Sequence, residues 1–219
     1  MAPSPDNLRS IAKYRSKAAN YDATTGPTSP IRQRCIASLG LRPGETVLDV
    51  GCGTGLSFEP LLRGVGKSGA LIAFEQSPEM HSLAHARAQA LRAQGWRIEL
   101  QLASAETVRW AAPPDAVLMH YIHDISRTPQ AVSNLFEQFP AGTRIALAGM
   151  KFFPWYLAPL NLLAWLKNRP YNVHAADMAR PWSLIEMHLD SFSWRSTQLG
   201  MGYIAFGRVA AHVPEGSRP

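Results

Sequence analysis

Apolar positions in this chain come in short blocks separated by longer amphipathic stretches. Val47, Leu48 and Val50 form a brief apolar run that ends in a glycine cluster, the pattern of a buried parallel strand entering a tight turn. Residues 69–75 (GALIAFE) form a second such run with an acid at its end, and residues 97–102, 115–119 and 143–148 form a third, fourth and fifth. Helix signals lie between them. Ser29-Pro30 places a hydroxyl cap before a proline at the first helical position, predicting a helix to about Leu39 that Gly40 ends. A second helix is expected over 56–63. Ser77-Pro78-Glu79 opens a third, running to about Gln94 and closed by Gly95, and Thr128-Pro129 opens a fourth, to about Phe139. This alternation, sustained for more than 100 residues, predicts an α/β fold with a doubly wound parallel sheet. The tail departs from it. Residues 191–195 and 201–209 read as two strands with a short turn between them, which should pair as an antiparallel hairpin at the sheet edge.

The 219 residues suffice for one sizeable domain and are short for two. Only 17% of side chains are charged, which argues against general disorder. The net charge of +6 is concentrated at the front: residues 1–42 hold seven Lys/Arg against Asp6 and Asp22. Such a front end attracts an anionic substrate, a lipid surface or a nucleic acid, or is simply a solvated helix face. Residues 152–166 form an apolar stretch too short, and too broken by Pro154, Pro159 and Asn161, for an ordinary membrane span. Met1 to Asn20 is polar and basic, without an apolar signal core, and Cys35 and Cys52 form no CxxC pair. Both features suggest a cytoplasmic, reducing location.

Gly51, Gly53 and Gly55 directly follow the first strand, where open α/β sheets bind ligands and where glycine lets the backbone come close to one. The loop lacks the GxGxxG spacing of a dinucleotide site, because Leu occupies position 56, and it lacks the Lys-Ser/Thr of a phosphate loop. Asp49, two residues before the first glycine, opposes a pyrophosphate and suits an ammonium or sulfonium. Glu75 ends the second strand 24 residues after Gly51, where a carboxylate can accept both hydroxyls of a ribose.

At this point VLDVGCGTG (47–55) closely resembles the first motif of the class I S-adenosylmethionine-dependent methyltransferases. FEQSPEM (74–80), with Glu75 and Gln76, resembles their second acidic motif, and PPDAVLMHYIHD (113–124) their fourth. LASAE (102–106) falls where the family usually has an Asp-Ala pair against the adenine. Ser104 replaces that Asp, so the resemblance assigns the contact to the Ser104 hydroxyl and the Ala105 amide, with Glu106 beside them. It further implies a Rossmann-like seven-stranded sheet in the order 3-2-1-4-5-7-6. The cofactor would be S-adenosylmethionine, leaving as S-adenosylhomocysteine, with Asp49, Gly51, Cys52, Gly53, Gly55 and Glu75 around it. Upstream, YRSKAANYD (14–22) is similar to the N-terminal helix that covers the cofactor in small-molecule members. Tyr14 and Tyr21 would then lie against the sulfonium, or would be two core aromatics on one helical face. The implied organisation is one domain: a helical lid (1–42), a cofactor-binding core (43–150), a helical acceptor-pocket insertion (151–189) and a hairpin completing the sheet (190–212).

Methyl transfer from a sulfonium asks the protein mainly for alignment and, for some acceptors, removal of one proton. Candidates follow the fourth strand. His120 would line the methionine end of the cofactor and Tyr121 the acceptor. His123 could act as base with Asp124 orienting it, or the pair could cap a loop. His120-x-x-His123 and His81-x3-His85 each lack an obvious third ligand, so no metal is expected. The aromatic-rich segment 151–182, including Phe153, Trp155 and Tyr156, has three readings: an acceptor lid, a dimer surface, or a membrane-contacting helix. A small apolar or aromatic acceptor is the leading reading. A membrane-surface lipid or quinone methyltransferase and a non-catalytic cofactor-binding module are the alternatives. An RNA methyltransferase is disfavoured, because His120-Tyr121-Ile122 stands where base-amino enzymes usually carry Asn/Asp-Pro-Pro-aromatic. The oligomeric state, monomer or homodimer, is left open.

Overall fold

A computed structural model of the protein describes residue 22, residues 29–151 and residues 179–211. Seven strands form one sheet in the order β3-β2-β1-β4-β5-β7-β6, as the resemblance implied. They are β1 (Thr46–Val50), β2 (Ala70–Glu75), β3 (Ile98–Leu102), β4 (Ala116–His120), β5 (Arg144–Met150), β6 (Leu189–Thr197) and β7 (Gly202–Val209). The first five run parallel; β7 runs antiparallel to both β5 and β6. Helices α1 (Ser29–Ser38), α2 (Phe58–Val65), α3 (Pro78–Ala93), α4 (Pro129–Phe136) and the single turn α5 (Ser183–Glu186) cover the two faces.

The central strands are buried on both sides, which is why they read as unbroken apolar runs. Successive residues feed opposite cores. Leu48, Val50, Ile72, Phe74, Val117 and Met119 pack with α4, α5 and the buried Trp182. Val47, Leu71, Ala73, Leu118 and Ala146 pack on α1, α2 and α3. Ile31, Cys35, Ile36 and nearby Leu39 belong to this second core, so α1, although inside the stretch 1–42 expected to form a lid, is part of the central packing. The helix starts and stops follow from local chemistry. The Ser77 hydroxyl accepts the Met80 amide at the head of α3, and Gly40 and Gly95 take positive φ after α1 and α3. The hairpin is less plain than expected. Between β6 and β7 lies a 3₁₀ turn, Gln198–Gly200, in which both Gln198 and Leu199 have positive φ.

β1 pairs with β2 on one side and β4 on the other, and the strand order reverses there. The glycine loop therefore opens at the switch point of the sheet, where a crevice forms beyond the strand ends.

Candidate active site

Gly51, Gly53 and Gly55 all take positive φ, between +59° and +82°. A Cβ on Gly51 would lie 3.2 Å from Ile125 and 3.3 Å from Ile122, and one on Gly55 would meet the Phe58 ring at 2.7 Å. The loop is therefore both left-handed and close-packed, two conditions that only glycine satisfies at no cost. Glu75, at the end of the neighbouring strand, is buried and holds the loop from the front. One carboxylate oxygen accepts the Gly53 amide at 3.0 Å and the other accepts the Ser77 amide at 2.8 Å. Burial pushes its pKa up, and the amides of Ser77, Gly53 and Gln76 oppose that shift.

A cavity opens above the loop, lined by Gly51, Gly53, Phe74, Glu75, Gln76, Met80, Ala105 and residues 120–125. A smaller one adjoins it, lined by Arg32, Asp49, Gly51, Cys52, Gly53, Thr54 and His120 among others. Three buried polar atoms around this second cavity have no hydrogen-bond partner among the described residues: Asp49 Oδ2, His120 Nε2 and Arg32 Nε. Buried polar atoms are normally paired, so three such atoms around one cavity mark it as a candidate binding site. Burial raises the Asp49 carboxyl to about 7, with Arg32 opposing and Glu75 adding to the shift. Burial, helped by Arg32 and His123, lowers His120 to about 3, so its imidazole is neutral at physiological pH and can accept a hydrogen bond.

Comparison with known proteins bears on the fold and on the region that holds these cavities. Residues 47–139 match a family model described as a methyltransferase domain. Over those residues the chain resembles a methyltransferase domain. It is similar to an uncharacterised 37.1 kDa transposon protein of Streptomyces fradiae, 33% identical over 131 residues, covering 57% of this chain and 36% of that protein. It is also similar to the malonyl-[acyl-carrier protein] O-methyltransferase of Herminiimonas arsenicoxydans, 38% identical over 85 residues, covering 39% and 32%. The matched part of the chain thus spans about a third of the length of these curated relatives. Among solved structures, the N-methyltransferase NodS of Bradyrhizobium japonicum in complex with S-adenosylhomocysteine superposes with a TM-score of 0.65. It is 13% identical and covers 91% of this chain and 97% of that one.

Most residues expected at the site converge on the two cavities: Asp49, Gly51, Cys52, Gly53, Glu75, Gln76, Ala105, His120, Tyr121, His123 and Asp124. Gly55 shapes the loop behind them. Ser104 departs from expectation. Its hydroxyl shares a hydrogen bond with the Thr107 hydroxyl at 3.1 Å, its carbonyl accepts the Thr107 and Val108 amides, and it does not line the cavity. Short side chains readily close such local turns, and this one turns Ser104 to structural use. Glu106 is likewise outside the lining. Buried Asn134 steadies this turn by donating to the Ala105 carbonyl at 2.8 Å.

His123 Nε2 accepts the Met150 amide at 3.2 Å. A base that takes a proton at Nε2 must first release this bond. Tyr121, expected against the acceptor, lines the main cavity with φ of 59° and donates its amide to the Ala148 carbonyl at 2.7 Å. A non-glycine residue held there is strained, and such strain concentrates at functional sites. Its ring lies 4.7 Å from that of His120, and its hydroxyl donates to Gln198 Oε1 at 3.4 Å. Among the described residues no three His, Cys, Asp or Glu side chains gather as a metal site; His81 and His85 stack on each other at 6.1 Å. Tyr14, Tyr21, Phe153, Trp155 and Tyr156 lie outside the described residues.

The residues not foreseen are Arg32, Thr54, Ile122 and Ile125. Ile122 and Ile125 were discoverable as the apolar positions within and just after the fourth motif. Arg32 was hidden among seven basic residues at the front of the chain.

Proposed function

We propose that the chain binds S-adenosylmethionine across the ends of β1 and β2 and transfers its methyl group to O, N or C of a small, largely apolar or aromatic acceptor. One observation carries this reading. Asp49 Oδ2, His120 Nε2 and Arg32 Nε, without partners among the described residues, converge beside a left-handed glycine loop whose neighbouring strand ends in the buried acid Glu75. The set of groups suits the cofactor. Glu75 takes the ribose hydroxyls and Asp49 the methionine ammonium, while the opposite charge of Arg32 suits the carboxylate. His120 accepts from the same end. Phe74, Met80, Ala105, Ile122 and Ile125 supply apolar walls for the adenine. When bound, S-adenosylmethionine supplies an already activated methyl group, so the chain's task is alignment and exclusion of water. Tyr121 and Asp124, which line the main cavity, face the acceptor in this reading. Asp124 is the group there that can orient a cationic acceptor, and His123 serves as base once its bond to Met150 is released. The local similarity to a malonyl-[acyl-carrier protein] O-methyltransferase makes O-methylation the first chemistry to test. The free buried thiols Cys35 and Cys52 support a reducing, cytoplasmic location.

A second reading places the enzyme at a membrane surface with a lipid or quinone acceptor. It is favoured by Leu199, 95% exposed at the tip of the hairpin, and by half-exposed Trp194 on β6. Co-sedimentation with anionic vesicles separates the two readings.

The test of function is transfer of radiolabelled methyl from S-adenosylmethionine to a panel of carboxylic acids, phenols, amines and quinols. Protein-dependent labelling that is lost in Asp49→Ala is expected. Tight binding of the cofactor with no labelling of any compound would point instead to a binding module.

A further inference from the structure

The glycine loop is also held through Thr54, which lines the second cavity, by Asp22 and Arg87, which line neither cavity. Thr54 stands between Gly53 and Gly55 and is 1% exposed. Its hydroxyl donates to Asp22 Oδ1 at 2.7 Å. The other oxygen of Asp22 pairs with the Arg87 guanidinium of α3, and Arg87 in turn donates to the Thr54 backbone carbonyl at 2.5 Å. Three chain segments, far apart in sequence, thus close a ring of three hydrogen bonds on one loop residue. Burial pushes the Asp22 carboxyl up, but the Thr54 hydroxyl and Arg87 outweigh it, and its pKa falls below the ordinary carboxylate value.

We propose that Asp22, Thr54 and Arg87 form a latch that positions the glycine loop for the cofactor, with Asp22 tying the N-terminal part of the chain to that loop. This rests on the reading of the cavity as a cofactor site. A loop with three glycines has more backbone freedom to lose than any other kind, so an empty loop without restraints must be ordered at the moment of binding. Glu75 restrains Gly53 from the ligand side. The latch restrains the next residue through protein groups alone, without a contact from the ligand. Restraint supplied in advance lowers the ordering cost of binding. The linkage is reciprocal: whatever binds the loop in its latched form strengthens the hold on Asp22 by the same factor. Asp22 and Arg87 side chains keep 42% and 36% exposure, so salt weakens the latch but does not abolish it. These three are positioning residues, because their atoms act on the loop backbone and on each other.

The test uses the full-length chain and S-adenosylhomocysteine as probe, with affinity read by calorimetry and stability by thermal melting without ligand. Asp22→Ala and Thr54→Val are each expected to weaken binding about fivefold to tenfold. The double variant is expected to lose little more than either single one, since both break one unit. Thr54→Ser, which keeps the hydroxyl, restores wild-type affinity. A merely structural role moves the ligand-free melting temperature and leaves affinity in place. Single-variant affinities within about twofold of wild type, or losses that simply add in the double variant, overturn the latch. Absence of binding by the wild-type protein overturns the cofactor assignment itself, and is thereby told apart from failure of the latch.

Discussion

The two ends of the sheet solve different problems. On the β1–β2 side, the glycine loop is pinned by Glu75 and by Thr54, Asp22 and Arg87, and its flanking strands are buried on both faces. On the β7–β6 side, β6 is largely exposed, its turn holds two strained residues, and one buried indole, Trp182, packs against Tyr203 and Trp194 at ring distances of 4.6 and 4.8 Å. The first region is over-determined around a ligand of fixed shape. The second hangs on a few aromatic contacts and carries exposed Leu199. A fixed cofactor tolerates little variation in its site, whereas acceptors differ, so the less constrained edge suits their recognition.

The contrast makes graded predictions. The largest effect belongs to Trp182→Ala, which should cost about 3–5 kcal/mol of stability by emptying the aromatic cluster. In the fraction that remains folded, affinity for S-adenosylhomocysteine should be unchanged; chemical denaturation and calorimetry measure the two. A loss of affinity would show the two ends to be coupled. Next is Gly51→Val. A branched side chain at positive φ, 3.2 Å from Ile125, should reduce cofactor affinity about a hundredfold while the protein stays folded by circular dichroism.

The third prediction concerns pH. Asp49 titrates at about 7 in the folded chain, above its ordinary value of 3.8. The folded state therefore holds this proton more tightly than the unfolded chain, and Asp49 lowers stability progressively as pH rises from about 4 to 7. The ionised form is the one that pairs with an ammonium. Affinity for S-adenosylhomocysteine should accordingly rise about tenfold between pH 6 and 8. Asp49→Asn should flatten that profile and raise the ligand-free melting temperature at pH 8. The smallest effect is Leu199→Gly. Relief of a left-handed leucine, offset by the added freedom of the unfolded chain, should stabilise by about 0.5 kcal/mol and leave cofactor binding untouched.

The same contrast explains what could be read from the residues alone. VLDVGCGTG and Glu75 stood out in the sequence because a left-handed, close-packed loop selects glycine and a buried acid at a strand end is unusual. The strand order followed from the resemblance. The bond between the Ser104 and Thr107 hydroxyls was unreadable because a residue's place in a motif does not reveal that its side chain closes its own turn. Arg32 and Asn134 were invisible because each acts through a tertiary contact that no local pattern encodes. The left-handed backbone of Tyr121, Gln198 and Leu199 was unreadable because none is glycine.

The central claim is that the loop and Glu75 hold S-adenosylmethionine. Calorimetric titration of S-adenosylhomocysteine into the wild-type protein and Glu75→Ala, with NAD as control, tests it most directly. The account predicts binding by the wild type, a large loss in the variant, and no response to NAD. A folded wild-type protein that ignores S-adenosylhomocysteine, or a Glu75→Ala variant that binds it equally well, contradicts it.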